Sequence, residues 1–226
     1  MFIDDNPILY ANFIQVIKRK SALFLENDEN GLFIQDTVSN AFMLACNDYH
    51  LAIKWLKKHE HLHYQLIVVY DKKLVSFIKK RYNLHDSLIC FQRAYLSQNE
   101  LIENHDLVLK LASIDDLSMI LKHYHRLSIE EIKEIIDEKH LYLGYVADHL
   151  IGFIGEHLEG SIGLLEVFED YRRLGYGSEL EKRMINLMLK RNLLPFCQIE
   201  VDNVKSLSLQ KKLGMSLSQE KVYWLF

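Results

Sequence analysis

The 226-residue sequence predicts an α+β fold in which mixed, mostly antiparallel sheet is flanked by helices. Short apolar runs typical of strands alternate with segments whose apolar residues recur every three or four positions, as in amphipathic helices. The order of these segments also repeats. Residues 1–98 read α-β-β-β-α-β-α-β and residues 107–226 read β-α-α-β-β-β-α-β-α-β, so we predict two related domains joined by a polar linker.

The first half begins with Asn6 and Pro7, a pair typical of a helix start. Turns rich in Asn, Asp and Glu then separate short apolar strands. The predicted strands are 23–25, 31–34, 41–44, 66–70 and 88–91, and the predicted later helices are 48–59 and 72–82.

The second half opens with an apolar strand. Ser113 with Asp116, and Ser128 with Glu131, have the spacing of capping boxes, so each pair predicts a helix start. The remaining predicted segments are a hairpin over 141–157, a buried strand over 162–167, a helix after Gly177, a strand over 196–201, a helix over 203–213 and a strand near 222–224.

Composition narrows the class of protein. The net charge of −4 argues against nucleic acid as the main partner, and no apolar run is long enough to span a membrane. Three cysteines without CxxC spacing, and an acidic amino terminus without a signal-like apolar region, favour a cytoplasmic protein with reduced thiols. His59, His61 and His63 alternate, but no cysteine or carboxylate completes a site, so we expect no metal.

The segment Phe168-Glu-Asp-Tyr-Arg172-Arg173-Leu-Gly175-Tyr-Gly177 lies between the predicted strand 162–167 and the next helix. The first N–H groups of a helix lack intrahelical partners, and the helix dipole is positive there. Glycines allow a ligand to approach the backbone, and arginines suit phosphate. The spacing is not that of a Walker loop or a dinucleotide fingerprint. This segment therefore predicts a phosphate site.

Arg172-x-x-Gly175-x-Gly177 resembles the Arg/Gln-x-x-Gly-x-Gly/Ala signature of the GNAT acyltransferases. The opening at 109–120, the strand at 151–155 and the closing segment at 203–215 are similar to that family in the same order. The resemblance implies a GNAT fold in residues 107–226. The first half has neither glycine nor arginine at the matching place, 45–50, so it resembles a degenerate GNAT-like half, as in glycine N-acyltransferases and related bacterial proteins.

The resemblance also implies residues that bind acetyl-CoA. They lie at the end of the strand, in the turn and around the last helix: Val167, Arg172, Arg173, Leu174, Gly175, Tyr176, Gly177, Ser178, Asn203 and Ser206. The family's usual glutamate base and tyrosine acid are replaced by Ser161 and Gln210. Glu200 matches the base of members that acetylate protein amino termini, and His157 is the alternative base.

We expect an N-acyltransferase that moves an acetyl or other short acyl group from coenzyme A to an amine by direct attack. The acceptor is a small molecule or a peptide, and a homodimer is left open. Tyr124, Tyr176 or a water replaces the usual acid, or the thiolate leaves unaided. Because the usual glutamate and tyrosine are missing, a catalytically inactive acyl-CoA sensor or scaffold is the alternative.

Overall fold

The computed structural model describes residues 1–103 and 106–226. These form two compact units, one made of residues 1–94 with 198–226 and the other of residues 95–197. The halves 1–98 and 107–226, which we predicted from the element order and the polar stretch at 97–100, stay a prediction, and the compact units divide the chain differently. The carboxyl-terminal segment belongs with the first half of the chain, because its last strand pairs there.

The predicted α+β class and element order are confirmed. The helices are α1 (Ala11–Lys18), α2 (Tyr49–Lys58), α3 (Lys72–Tyr82), α4 (Leu117–His123), α5 (Ile129–Asp137), α6 (Tyr176–Lys190) and α7 (Val204–Lys212). The strands are β1 (Ala22–Asp28), β2 (Gly31–Asp36), β3 (Phe42–Cys46), β4 (Ile67–Val69), β5 (Ser87–Ala94), β6 (Leu107–Leu111), β7 (Leu141–Val146), β8 (His149–Glu156), β9 (Ile162–Val167), β10 (Phe196–Glu200) and β11 (Ser216–Leu225). In the described residues no helix has the length and apolar character needed to cross a membrane.

In the unit of residues 1–94 and 198–226, the strands follow the order β1-β2-β3-β4-β11-β5. The first three are antiparallel neighbours, β3 and β4 are parallel, and β11 is antiparallel to both β4 and β5. Strand residues alternate between two cores. One core lies under α2 and α3 and includes Phe33 and Leu44, and the other lies under α1 and includes Ile34 and Met43.

In the unit of residues 95–197, β9, β8, β7 and β6 form an antiparallel series. One face packs against α4 and α5, where Phe153 and Leu164 join Ile120, Ile132 and Ile135 in a buried cluster. The long helix α6 buries Leu180, Met184 and Met188. The sheet therefore has α4 and α5 packed against it, and α6 contacts β8 and β9. Helix α6 starts directly after the turn that follows β9.

Most helix starts lie where the sequence places them. Both capping boxes are confirmed, with Ser113 N–H donating to Asp116 and Ser128 N–H donating to Glu131, each at 2.8 Å. The predicted helix start at Pro7 is wrong. Asn6 and Pro7 belong to a turn, in which Asn6 accepts the Leu9 N–H, and α1 begins only at Ala11.

The segment before β6 is held to α6 by a buried amide. The Asn186 side chain accepts the Leu101 N–H at 2.8 Å and donates to the Leu101 carbonyl at 2.9 Å. Asn186 is buried, whereas the neighbouring Lys190–Glu100 pair, 3.3 Å apart, is exposed. Removing a partner from a buried polar group costs more free energy than removing one from an exposed pair. The Asn186 amide is therefore the stronger of these two attachments.

Replacing Asn186 with Ala should lower the free energy of unfolding by roughly 1–3 kcal/mol, because two backbone groups of Leu101 lose their partner. Lys190→Ala, which removes an exposed attachment between the same segments, should cost less than about 1 kcal/mol. Urea unfolding of the two variants measures both. Equal losses would show that burial does not distinguish these contacts.

Candidate active site

Strand β9 contains one extra residue. Its register with β8 runs from Glu166 opposite Phe153 to Gly163 opposite Gly155, so two residues of β9 face one residue of β8. Leu164 adopts a left-handed backbone conformation with φ of 49° although it is buried. A bulge of this kind leaves a residue without a ladder partner and bends the strand, and bulges are common beside active sites.

Gly152 on β8 makes room for the strand segment that follows the bulge. A Cβ at this position would lie 2.1 Å from the Glu166 carbonyl oxygen, and the φ of 156° is one that residues with side chains rarely adopt. Both obstacles involve backbone, which cannot move aside as a flexible side chain can. The course of β9 near Glu166 therefore depends on a glycine in the neighbouring strand.

His157 lies against β9 on the other side of the bulge. A Cβ at Gly163 would lie 2.3 Å from its Nε2, so the imidazole covers this glycine. The His157 N–H donates to the Ser161 carbonyl at 2.9 Å within the β8–β9 hairpin. The Ser161 hydroxyl donates to the Glu159 carboxylate. The structure thus places the predicted His157 ring over Gly163, the residue that precedes the bulge.

The turn after β9 leads into an amino terminus of α6 that has no side-chain cap. Gly175 occupies the cap position with a φ of 92°, and Arg173 is also left-handed with a φ of 63°. The first helical hydrogen bonds run from Ser178 and Glu179 to the Gly175 carbonyl. A Cβ at Gly177 would meet only Val167 Cγ2, at an ordinary 3.7 Å. This open helix start is suited to an anion.

The matching helix of the first half begins differently. The Asp48 carboxylate accepts the N–H groups of His50 and Leu51 at 2.7 and 3.0 Å, which caps α2. These two bonds hold the pKa of Asp48 below its usual value. A carboxylate of the chain therefore already occupies the position that an anion would need.

Arg172 lies across the end of β9. Its Nε donates to the Val167 carbonyl and its Nη2 to Glu166 Oε1, both at 2.8 Å. Arg173 and Leu174 are exposed beside it. The exposed ion pair between Glu166 and Arg172 contributes only about 0–1 kcal/mol to stability, because solvent screens it.

An aromatic cluster adjoins the same strand end. The His123 ring stacks on Phe168 with centroids 4.3 Å apart, and Phe168 meets Phe153 edge to face at 6.3 Å. His123 ends α4, which is distant in sequence from β9. The sequence predicts neither this contact nor the bulge, because neither Leu164 nor His123 belongs to a recognisable motif.

Comparisons with known proteins concern the fold of this chain. Residues 142–225 match the family described as FR47-like protein. No curated protein matches the sequence. A Drosophila protein of 14% identity has a TM-score of 0.72, covering 100% of this chain and 93% of its own. A Novosphingobium aromaticivorans protein assigned to the GNAT family is 11% identical, with a TM-score of 0.61 and 98% of both chains covered. The chain has the GNAT fold.

A tandem arrangement of GNAT domains also has a solved counterpart. A tandem GNAT protein from the clavulanic acid biosynthesis pathway is 9% identical to this chain, with a TM-score of 0.50 and coverage of 99% of this chain and 95% of its own. This likeness concerns the fold. It supports the prediction that two halves of related element order make up the chain.

The other predicted residues of the GNAT site belong to the unit that contains residues 198–226. Glu200 ends β10, and its backbone carbonyl accepts the Asn203 N–H at 2.9 Å. Asn203 caps α7, because its side chain accepts the Ser206 N–H at 3.1 Å. Gln210, at the family's usual acid position, is buried. The cofactor roles of Asn203 and Ser206 and the catalytic role of Glu200 stay predictions.

Two glycines of the site should respond differently to alanine. Gly152→Ala should lower the free energy of unfolding by about 2 kcal/mol or more, because its Cβ would collide with the β9 backbone. Gly177→Ala should change it by less than about 1 kcal/mol, since its Cβ would make only an ordinary contact with Val167. Thermal unfolding of both variants measures the difference. Similar stability of the two would contradict the close approach of β8 to β9.

Proposed function

We propose that this protein is an N-acyltransferase that moves an acetyl or other short acyl group from coenzyme A to an amine. The observation that carries the proposal is the open amino terminus of α6 directly after the bulged strand β9. The first feature suits the pyrophosphate of coenzyme A, and the second offers a backbone donor beside that site. Acetyl-CoA supplies the thioester and acts as a co-substrate.

The residues of the turn fit the anionic part of this co-substrate. The left-handed Gly175 ends the turn without a side chain, and the space beside Gly177 admits a close ligand. Arg173 adds exposed positive charge, and Val167 offers main-chain groups for the pantetheine arm. Arg172, Leu174, Tyr176 and Ser178 complete the proposed set on this segment. Asn203 and Ser206 are proposed from the resemblance alone.

The chemistry requires a base for the acceptor ammonium and a donor for the developing oxyanion. Glu200 is our proposed base, from its match to the family, and His157 is the alternative, which its position over Gly163 supports. An N–H group at the bulge is the proposed oxyanion donor. Gln210 is buried, and its amide cannot protonate the leaving thiolate. This observation favours the alternative function, an acyl-CoA sensor without turnover.

The first test separates charge from shape at Gly177. Coenzyme A should raise the melting temperature of the wild-type protein and of Gly177→Asn, but not of Gly177→Asp, because a carboxylate would repel the pyrophosphate. At a ligand concentration of about 100 times Kd, the lost stabilisation is roughly 2.7 kcal/mol. Differential scanning fluorimetry measures it. An undiminished shift in Gly177→Asp would place the cofactor elsewhere.

The second test concerns the base. Glu200→Gln should lower kcat/KM at pH 7 by about 10²–10⁴-fold, since it removes basicity but preserves size, while coenzyme A binding changes little. The deficit should shrink at high pH, where the amine is already neutral. Thiol release is measured with a panel of amines, with His157→Gln as the matched variant. Normal turnover in Glu200→Gln together with a loss in His157→Gln would assign the base to His157.

Absence of turnover has a separate meaning. If no amine in the panel supports thiol release although coenzyme A binds the wild-type protein, the chain is a binding protein rather than a transferase. If coenzyme A does not bind, both functions are excluded. Binding and turnover are therefore measured on the same preparations.

A further inference from the structure

The Arg172 guanidinium is engaged by two groups at the end of β9. It bonds to the Val167 carbonyl through Nε and to the Glu166 carboxylate through Nη2. Val167 is the residue whose main-chain groups we propose for the pantetheine arm. Glu166 lies two residues after the left-handed Leu164, which places its carboxylate beside the bulge. Arg172 thus binds groups that lie within the proposed reaction site.

This attachment is of the kind that a ligand can displace. The Arg172 side chain is 55% exposed and that of Glu166 is 21% exposed, so solvent and salt weaken their attraction. Another pair of the same unit provides a contrast. Arg191 pairs with Glu156, whose side chain is only 1% exposed, and removing either partner there would leave a charge without compensation.

A pyrophosphate at the start of α6 would be a stronger partner for the same guanidinium. It carries more negative charge than one carboxylate, and its oxygens match the planar fork of arginine. The two anions therefore compete for Arg172, which lies three residues before Gly175 in the turn.

We propose that Glu166 and Arg172 form a latch that the co-substrate operates. Binding of the pyrophosphate transfers Arg172 from Glu166 to a phosphate oxygen, and this frees the Glu166 carboxylate and the Val167 carbonyl. The inference rests on the proposed function. Its consequence is an order of binding, because a carboxylate able to hold the acceptor's ammonium becomes available beside the bulge only after coenzyme A has bound.

A double-mutant cycle on coenzyme A binding tests the latch. Titration calorimetry is carried out with the wild type, Glu166→Gln, Arg172→Gln and the double variant. Glu166→Gln removes the competing anion but preserves size, so coenzyme A should bind 3- to 10-fold more tightly. In the Arg172→Gln background the same change should alter Kd by less than twofold, because no guanidinium is left to release.

The control variant is Glu169→Gln. Glu169 is an exposed carboxylate in the same segment, and its backbone carbonyl, not its side chain, accepts the Arg172 N–H at 3.2 Å. The Glu169→Gln substitution therefore removes the same charge at a nearby position and leaves the Glu166–Arg172 latch intact. Its effect on Kd should be less than twofold in both backgrounds.

The outcomes separate the latch from the function on which it rests. Unchanged or weaker binding in Glu166→Gln, or equal tightening with and without Arg172, overturns the latch while coenzyme A binding stands. No binding by the wild type overturns both. A second readout is the arginine Nε–Hε NMR signal of Arg172, assigned by its loss in Arg172→Gln. It should shift on coenzyme A addition, and an unmoved signal in a protein that binds coenzyme A would also refute the latch.

Discussion

The extra residue in β9 is accommodated because Gly152 on the neighbouring strand has no side chain. A Cβ there would lie 2.1 Å from the Glu166 carbonyl oxygen. Any other residue at position 152 would therefore displace the end of β9. The features of the candidate site depend on this strand end. Glu166, the Val167 carbonyl and the turn that leads into α6 all follow the bulge, and His157 covers the glycine before it.

The two halves show how one helix start can be closed or left open to a ligand. Both α2 and α6 follow a strand of similar place in the element order. The Asp48 carboxylate caps α2 and satisfies its N–H groups from within the chain. Gly175 gives α6 no such cap, so its positive end remains suited to an external anion. A difference of a few side chains thus separates a structural helix start from a proposed cofactor site.

The pair of Glu166 and Arg172 places two opposite charges together at the end of β9. The resemblance predicts that Arg172 binds phosphate. In the structure its Nε and Nη2 groups instead donate to Val167 and Glu166 of β9. Because the Arg172 side chain is 55% exposed, solvent weakens its attraction to Glu166. In our proposal, this carboxylate therefore holds Arg172 only until the co-substrate binds.

The sequence by itself determined the element order, both capping boxes and the position of the turn, because periodicity, cap chemistry and glycine spacing act within a few residues. The predicted helix start at Pro7 was wrong, because a turn precedes α1 there. Only the tertiary structure decided that β11 lies between β4 and β5, that Leu164 is left-handed and that Arg172 contacts Glu166. Each of these depends on contacts with another strand or on the folded turn, which local sequence signals do not specify.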